Sequence, residues 1–474
     1  MYFKIKDTVL FRNYKKYGYI TDNSMFGYRT LDEMSIISGE KFVSESGAIM
    51  LSLLTKIPQQ IDSIVKKLST IFSGIGYEEL KQDTIDFFDL LVEMGFLNRG
   101  ETFDECNSFC IKRNKKVKDC IFSTSADDCS NNIFSQNDFL RSLHIEIASE
   151  CNERCVHCYI PHEYKIKKIN PDLFYKAVTE GRKMNIINVT LSGGEPLLHE
   201  EFISFLSKCR ELDLSVNVLT NLTLLTEEIV DEMKKNPLLS VQTSIYSMDP
   251  LIHDAITNIP GSFKKTKSNM LKLKQAGIPL QISCPVMKQN KDTFYNVVCF
   301  GKKHSIPVKV DYVIFASYDH SNCNLNNRLS LADVEKAFDQ QISYEYIHSL
   351  YDLAKEKSAL TEQDPICSIC RYYICISADG YVFPCVGWQS KIIGDLNSQT
   401  LKSIWEFSEE IKELRAIKRQ AFPKCIKCKD RGYCNVCMMS NANESSIGDA
   451  FSINDYHCSI ANIIHKKVDT YLNG

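Results

Sequence analysis

The chain reads as α/β: a partial (β/α)6 TIM barrel between a small N-terminal module of winged-helix type and a C-terminal cysteine-rich domain. Three observations predict this. Six β-rich apolar runs alternate with helical stretches between Leu143 and Ile314, the order that gives a parallel sheet with right-handed crossovers. Directly after the first run, "SECNERCVHCYIPH" sets Cys151, Cys155 and Cys158 at C-x3-C-x2-C spacing. Nine of the 20 cysteines crowd between Cys367 and Cys458.

Bulk properties narrow the class. At 474 residues the chain exceeds one compact core, and about three domains are expected. Hydrophobic and charged contents of 44% and 24% are those of an ordinary globular protein. A net charge of −3 offers no footprint for nucleic acid or an anionic membrane. No apolar run approaches the roughly 20 residues of a bilayer span, and "MYFKIKDTVLFRNYKKYGYI" lacks signal-peptide order. A cytoplasmic protein is therefore expected, in which dense cysteine argues for metal or redox chemistry.

Each segment follows in order. Residues 1–99 hold short β segments ("GYITDNSMFGYRTLDEMSIISG") and three amphipathic stretches, "ESGAIMLSLLTKI", "QQIDSIVKKLSTIF" and "DTIDFFDLLVEMGFL", a β-then-three-helix pattern. Residues 1–100 carry 12 Lys+Arg against 13 Asp+Glu, so DNA binding is not expected and peptide binding suits the module better. Residues 100–138 are polar and irregular, a linker or cap whose Cys106, Cys110, Cys120 and Cys129 read as free thiols. Residues 139–329 form the barrel. Its strands are "SLHIEIAS", "NVTLSGG", "LSVNVLTN", "LSVQTSIYS", "PLQISCPVM" and "PVKVDYVI", separated by helices such as "PDLFYKAVTEGRKM" and "EEFISFLSKCREL". Six units are too few for a closed eight-unit barrel, and chemistry is expected at the C-terminal strand ends. Cys209, Cys284, Cys299 and Cys323 lie in barrel elements and read as packing residues. Residues 330–474 form a small domain whose core is expected to be metal.

Three thiolates can hold three irons of a [4Fe–4S] cluster and leave the fourth open to a ligand. Structural zinc needs four ligands; His157 could be offered, but it lies between two of the cysteines, where simultaneous ligation is awkward. The paired C-x2-C elements at Cys425/Cys428 and Cys434/Cys437 could by themselves be a zinc ribbon.

At these residues the sequence resembles the radical S-adenosylmethionine (SAM) enzymes. The cysteine triad with His157 before its last Cys, and "LSGGEPLL" after the second strand, resemble the family's two signature motifs. The resemblance implies that the open iron chelates SAM, that an electron cleaves it, and that a 5′-deoxyadenosyl radical abstracts hydrogen from substrate. It implies SAM contacts at Gly193, Gly194 and Glu195, with Glu195 accepting from the SAM amino group. It also implies contacts at Asn221 in "VLTNLTLL", where Leu222 replaces the family's usual Gly, and at Gln242 and Ser244. Asp254 and Gly261 read equally as loop-structural or functional. The general acid and base stay unknown.

The order Cys367, Cys370, Gly380, Cys385, Cys425, Cys428, Cys434, Cys437, Cys458 resembles the SPASM extension, with x2 where the family commonly has x3 at the last pair. That resemblance implies two auxiliary clusters, three [4Fe–4S] clusters in all. Cys425, Cys428, Cys434 and Cys458 would bind the distal one; Cys385 and Cys437 would bind the nearer with Cys367, Cys370 or both. Cys375 reads as a core residue. The N-terminal module resembles leader-peptide recognition domains of peptide maturases. Together these imply a maturase that joins cysteine sulfur to carbon in a ribosomally made precursor peptide, served by an external donor of flavodoxin or ferredoxin type. The alternatives are carbon–carbon or carbon–oxygen cross-linking, an anaerobic sulfatase-maturing activity, or a non-catalytic iron–sulfur protein that carries electrons or binds peptide.

Overall fold

The computed structural model describes residues 1–23, 27, 39–108 and 139–473. Residues 24–26 and 28–38 of the expected short β segments, and Cys110, Cys120 and Cys129, lie outside them.

The N-terminal unit has two three-stranded sheets. One joins β2 (Val9–Asn13), β3 (Tyr17–Asp22) and β4 (Glu40–Ser44) as antiparallel neighbours. The other places β1 (Tyr2–Ile5) between β5 (Gln59–Gln60) and β6 (Leu97–Gly100). Helices Glu45–Ser52, Ile61–Leu68 and Tyr77–Glu93 cover them, burying Leu51, Ile64, Val65, Phe88 and Leu91. The three predicted helices are present, but strands flank them on both sides rather than all preceding them. The segment expected as irregular linker also begins with structure. Phe103–Ser108 is helical and buries Cys106, because Asn98 on β6 offers its carbonyl to the thiol and its amide to the Cys106 carbonyl.

The six barrel runs are β7 (Ser142–Ala148), β8 (Asn188–Gly193), β9 (Ser215–Leu219), β10 (Leu239–Ser244), β11 (Leu280–Pro285) and β12 (Val308–Asp311). They pair in parallel in chain order. Beyond β7 the sheet continues into the cysteine-rich region. β13 (Tyr373–Ile376) pairs in parallel with β7, and β14 (Tyr381–Phe383) and β15 (Gly394–Asp395) complete a nine-stranded sheet. The C-terminal domain thus continues the barrel's sheet instead of standing apart from it. An open barrel leaves the β7 edge with unpaired N–H and C=O groups, and β13 satisfies them.

Helices Pro171–Lys183, Phe202–Glu211, Glu227–Lys234, Ser262–Gln275 and Phe294–Lys303 back the sheet. Leu143, Ile145, Val189, Leu191, Val216, Val218, Val241 and Ile282 face them in one core. The alternate residues are largely polar: His144 and Glu146, Thr190 and Ser192, Asn217, Ser240, Gln242 and Ser244, Gln281 and Ser283. A closed (β/α)8 barrel fills this side with branched apolar side chains. Here that side is polar instead, which suits a polar occupant.

The N-terminal unit docks on the end of the barrel opposite the mouth. Arg12, fully buried, donates to the Ile186 carbonyl (2.9 Å) and the Asp213 carbonyl (2.5 Å) and pairs with the Asp213 carboxylate (3.3 Å). Lys56 adds a second cation to Asp213 at 2.5 Å.

Arg328 ties the barrel to the C-terminal domain. It grips Glu444 through two bonds (2.9 and 2.5 Å), donates to the Ile314 carbonyl and lies over Tyr456. Burial alone would raise the Glu444 pKa, but Arg328 holds it below the ordinary Glu value. A folded pKa below the unfolded one means stabilisation that is full at neutral pH and fades as pH falls through the depressed value. Wild type is therefore expected to lose Tm below about pH 4.5 more steeply than Glu444→Gln. At pH 7 Glu444→Gln is expected to lower stability by about 1–3 kcal/mol in denaturant melts.

Candidate functional site

The cysteine triad lies in the loop that follows β7, at the C-terminal mouth of the barrel. Its backbone is held from several sides. Arg154 and Val156 donate their N–H groups to the carbonyls of Thr257 and Ile256, at the end of the Pro250–Thr257 helix. Asn258 donates to the Arg154 carbonyl at 2.8 Å, Asn327 to Val156 at 2.8 Å, and Asn324 to the His157 and Cys158 carbonyls at 3.3 and 3.4 Å. Sequence reasoning missed these asparagines. The Asn-rich run "SNCNLNNR" was the available signal, since side-chain amides are what irregular backbone needs to satisfy its carbonyls.

The two glycines of "LSGGEP" bring the end of β8 against this loop. Gly193 has φ +130°, and a Cβ there would stand 1.9 Å from the Ala148 carbonyl oxygen; one on Gly194 would stand 2.3 Å from that of Glu150. The close approach lets Gly194 and Glu195 donate their N–H groups to Ala148 and Glu150, both at 2.7 Å. Glu195 is fully buried. Its carboxylate accepts from the Thr220 hydroxyl (2.5 Å), the Asn221 N–H (2.7 Å) and the Leu197 N–H (3.0 Å). Glu195, which the resemblance sets against the SAM amino group, thus has its oxygens engaged within the chain, and it clamps the ends of β8 and β9.

Asn221 is likewise engaged within the chain. Its amide donates to Asn152 (2.8 Å), beside Cys151, and its oxygen accepts from the Thr223 N–H and hydroxyl. Leu222 has φ +63°, the left-handed region that glycine enters freely, while its side chain is fully buried in the core. The Leu therefore bears about 1–2 kcal/mol of backbone cost. Leu222→Gly is expected to recover that cost and forfeit the buried side chain, worth about 2–5 kcal/mol, for a net loss of about 1–3 kcal/mol in denaturant melts. Gln242 and Ser244 are half-buried on the polar side of β10, registered with Gln281 and Ser283 of β11. Asp254 accepts from the Gly261 and Phe263 N–H groups and the Ser262 hydroxyl (2.6–2.9 Å), a loop-structural role.

In the C-terminal domain the structure brings the thiols into two sets. Electrostatic influence links Cys367, Cys370, Cys385 and Cys437, with Cys375 alongside them, and separately Cys425, Cys428, Cys434 and Cys458. Both Cys367 and Cys370 stand with the first set. Tyr373 donates to the Cys385 sulfur at 3.3 Å, and Cys437 accepts from the Ser440 N–H as it caps the Met438–Glu444 helix. Cys375 is buried on β13 beside Cys370 and Cys385. Cys209 and Cys284 are buried packing residues, but Cys299 and Cys323 are exposed, which corrects their reading as core.

The donor chemistry fits iron–sulfur clusters. Burial pushes Cys151 and Cys367 up to about 11 and Cys370 and Cys385 up to about 12. As bare thiols they would be poor nucleophiles at neutral pH; a metal's positive charge is what converts such groups to thiolates. A single ion needs its donors about 2.0–2.3 Å from one point, and among the described residues no three Cys, His, Asp or Glu side chains converge in that way. A four-iron cluster gives each thiolate its own iron.

Fold and site define the class: an iron–sulfur enzyme on a partial barrel, with one cysteine loop at its mouth and two further thiol sets alongside. Residues 145–299 match the radical SAM superfamily, and residues 367–429 match the SPASM iron–sulfur cluster-binding domain. Among curated relatives, the AdoMet-dependent heme synthase of Methanosarcina barkeri is 24% identical over 325 residues, 62% of this chain and 89% of that protein. The PqqA peptide cyclase of Bradyrhizobium diazoefficiens is 22% identical over 309 residues, 60% and 78%. Among solved structures, Streptococcus suis SuiB bound to precursor peptide SuiA superposes with TM-score 0.59 and 15% identity, over 95% of this chain and 98% of that one. Native anSMEcpe with AdoMet and Kp18Cys peptide gives TM-score 0.55 and 19% identity, over 70% and 99%. The chain is a radical SAM enzyme with a SPASM domain, and its cofactors are [4Fe–4S] clusters and SAM. No helix among the described residues is long and apolar enough to cross a membrane.

Proposed function

We propose that this enzyme forms thioether cross-links, cysteine sulfur to carbon, in a ribosomally made precursor peptide. Cys151, Cys155 and Cys158 hold the radical-generating cluster; Gly193 and Gly194 close the loop over it; Gln242 and Ser244 offer polar contacts to SAM. Cys367, Cys370, Cys385 and Cys437 hold the nearer auxiliary cluster, and Cys425, Cys428, Cys434 and Cys458 the distal one. Bound there, clusters and SAM supply a hydrogen-abstracting radical and one-electron acceptors. The single observation that carries the reading is the pairing of β7 with β13. It adds β13 and β14, which Cys370 precedes and Cys385 follows, to the sheet whose β7 leads into the triad loop, which supports a peptide at the mouth meeting both a radical source and an electron sink.

The N-terminal unit supports a peptide substrate. Among the described residues β4 is paired only on its β3 side and is half-exposed, an edge to which an extended leader can add as a strand. The curated PqqA peptide cyclases and the peptide-bound SuiB and anSMEcpe agree with that class. An electron donor of flavodoxin or ferredoxin type completes the reading. Carbon–carbon cross-linking is the second reading: if Cys367, Cys370, Cys385 and Cys437 all bind the nearer cluster, no iron of it is open to a substrate thiolate.

The test uses anaerobically reconstituted enzyme, SAM, a reductant and a cysteine-containing peptide encoded beside the gene. Deoxyadenosine and peptide mass are read before and after thiol alkylation. Loss of two hydrogens per link with one alkylatable thiol lost is the expected result. Loss of two hydrogens with every thiol still alkylated would replace thioether formation by carbon–carbon or carbon–oxygen linkage.

A further inference from the structure

Glu146 is a buried carboxylate that the cofactor machinery above leaves unused. It lies on the polar side of β7, opposite Ser192 and two residues below the Ala148–Gly193 pair where the strand gives way to the triad loop. Its Oε2 accepts from the Gln389 side chain at 2.6 Å, and Gln389 stands four residues after Cys385. The same two loops meet at Tyr159, next to Cys158, where an added Cβ on Gly387 would stand 3.6 Å from the tyrosine ring. Glu146 thus sits under the seam between the loop of the triad and the loop of the nearer auxiliary set. Tyr159, Tyr318 and Cys375 lie within its electrostatic reach, as does Asp379, whose charge is offset by Lys167 at 2.6 Å. Among the described residues no cation pairs with the carboxylate, and burial pushes it up to about 7 with only Gln389 opposing.

Thioether formation, on whose assignment this inference rests, removes two hydrogens. One leaves the substrate carbon as an atom and ends on deoxyadenosine. The other leaves sulfur as a proton as the S–H bond is exchanged for S–C, and the surplus electron passes to an oxidised iron–sulfur cluster. The proton needs an acceptor at the seam. We propose that Glu146 is that acceptor, taking the proton of the substrate cysteine thiol, and that Gln389 positions it. A carboxyl poised near neutrality can accept a thiol proton and pass it on in the next cycle.

The test compares wild type, Glu146→Gln, Glu146→Asp and Gln389→Ala as fully reconstituted enzymes. Glu146→Gln is expected to cut cross-linked peptide formed per deoxyadenosine by about 10²-fold, with iron content, Tm and peptide Kd held. Glu146→Asp should recover part of that ratio, and Gln389→Ala should lower it and shift its pH profile. Independently of turnover, the infrared C=O stretch of a protonated carboxyl should titrate near pH 7 in SAM-free wild type and be missing from Glu146→Gln. Wild-type coupling in Glu146→Gln, or no such titrating band, overturns the assignment. A wild type that loses two hydrogens but no thiol overturns the thioether reading, and the proton source named here with it.

Discussion

Gly193→Ala is expected to empty the cluster site at the barrel mouth. A methyl group at this position would stand 1.9 Å from the Ala148 carbonyl oxygen and 2.8 Å from its carbon, both of them backbone and neither free to rotate away. The φ of +130° is a second obstacle, since L residues rarely adopt it. The β8 end must therefore withdraw, and the two 2.7 Å bonds from Gly194 and Glu195 to the triad loop go with it. Two lost buried bonds and the overlap together should cost about 3–5 kcal/mol. Tm, bound iron and the electron paramagnetic signal of the SAM-responsive cluster should all fall. Gly261→Ala is the control: its φ is +82° but no atom lies within 4 Å of the added methyl, so a cost of about 1–2 kcal/mol with iron retained is expected. Equal losses in the two variants would show that backbone conformation, and not the close approach, explains Gly193.

Replacing Cys151, Cys155 and Cys158 together by Ala should abolish deoxyadenosine formation while leaving the auxiliary clusters' signals in place. The triad is anchored through Thr257, Asn258, Asn324 and Asn327, whereas the other two thiol sets are built from residues 367–458, so losing one need not dismantle the others. Replacing Cys425 and Cys428 should do the converse, removing the distal cluster and retaining SAM cleavage by a strong chemical reductant. Mössbauer spectra of the iron-loaded variants give the count. Loss of all iron from the triad variant would mean that the sets assemble as one cooperative unit.

Much of this architecture was legible because it is periodic. Each of the six barrel strands appeared as a β-rich apolar run, and helices such as Pro171–Lys183 and Phe202–Glu211 appeared as the stretches between them. What the sequence left out was long-range and aperiodic. β13 is four residues long, and nothing local says that it adds to β7. The Pro250–Thr257 helix was hidden inside a run read for its motif, yet its carbonyls hold the triad loop. Cys299 and Cys323 looked like packing residues because they fall within barrel elements; on the folded helix and turn both are exposed.

For the site the division is sharper. Spacing by itself showed that the thiols cluster, and the resemblance to the SPASM extension implied how they divide: Cys434 and Cys437 are a C-x2-C pair in the chain, yet that resemblance assigns them to different clusters. "GGE" could be read as a place where backbone approaches something, since only glycine permits it. Which backbone it approaches was a tertiary matter, and so was the fate of Glu195. A carboxylate beside a cofactor motif reads as a ligand contact, and only the fold shows that Thr220, Asn221 and Leu197 also engage its oxygens. Glu146 was invisible for the opposite reason: within "SLHIEIAS" it is one polar residue in an alternating strand, and only the arrival of Gln389 from the far end of the chain gives it a role. Sequence determined the chemistry of the parts, because that chemistry is local to side chains. The fold alone decided which parts face one another, because burial and hydrogen-bond partners come from segments that the chain order keeps apart.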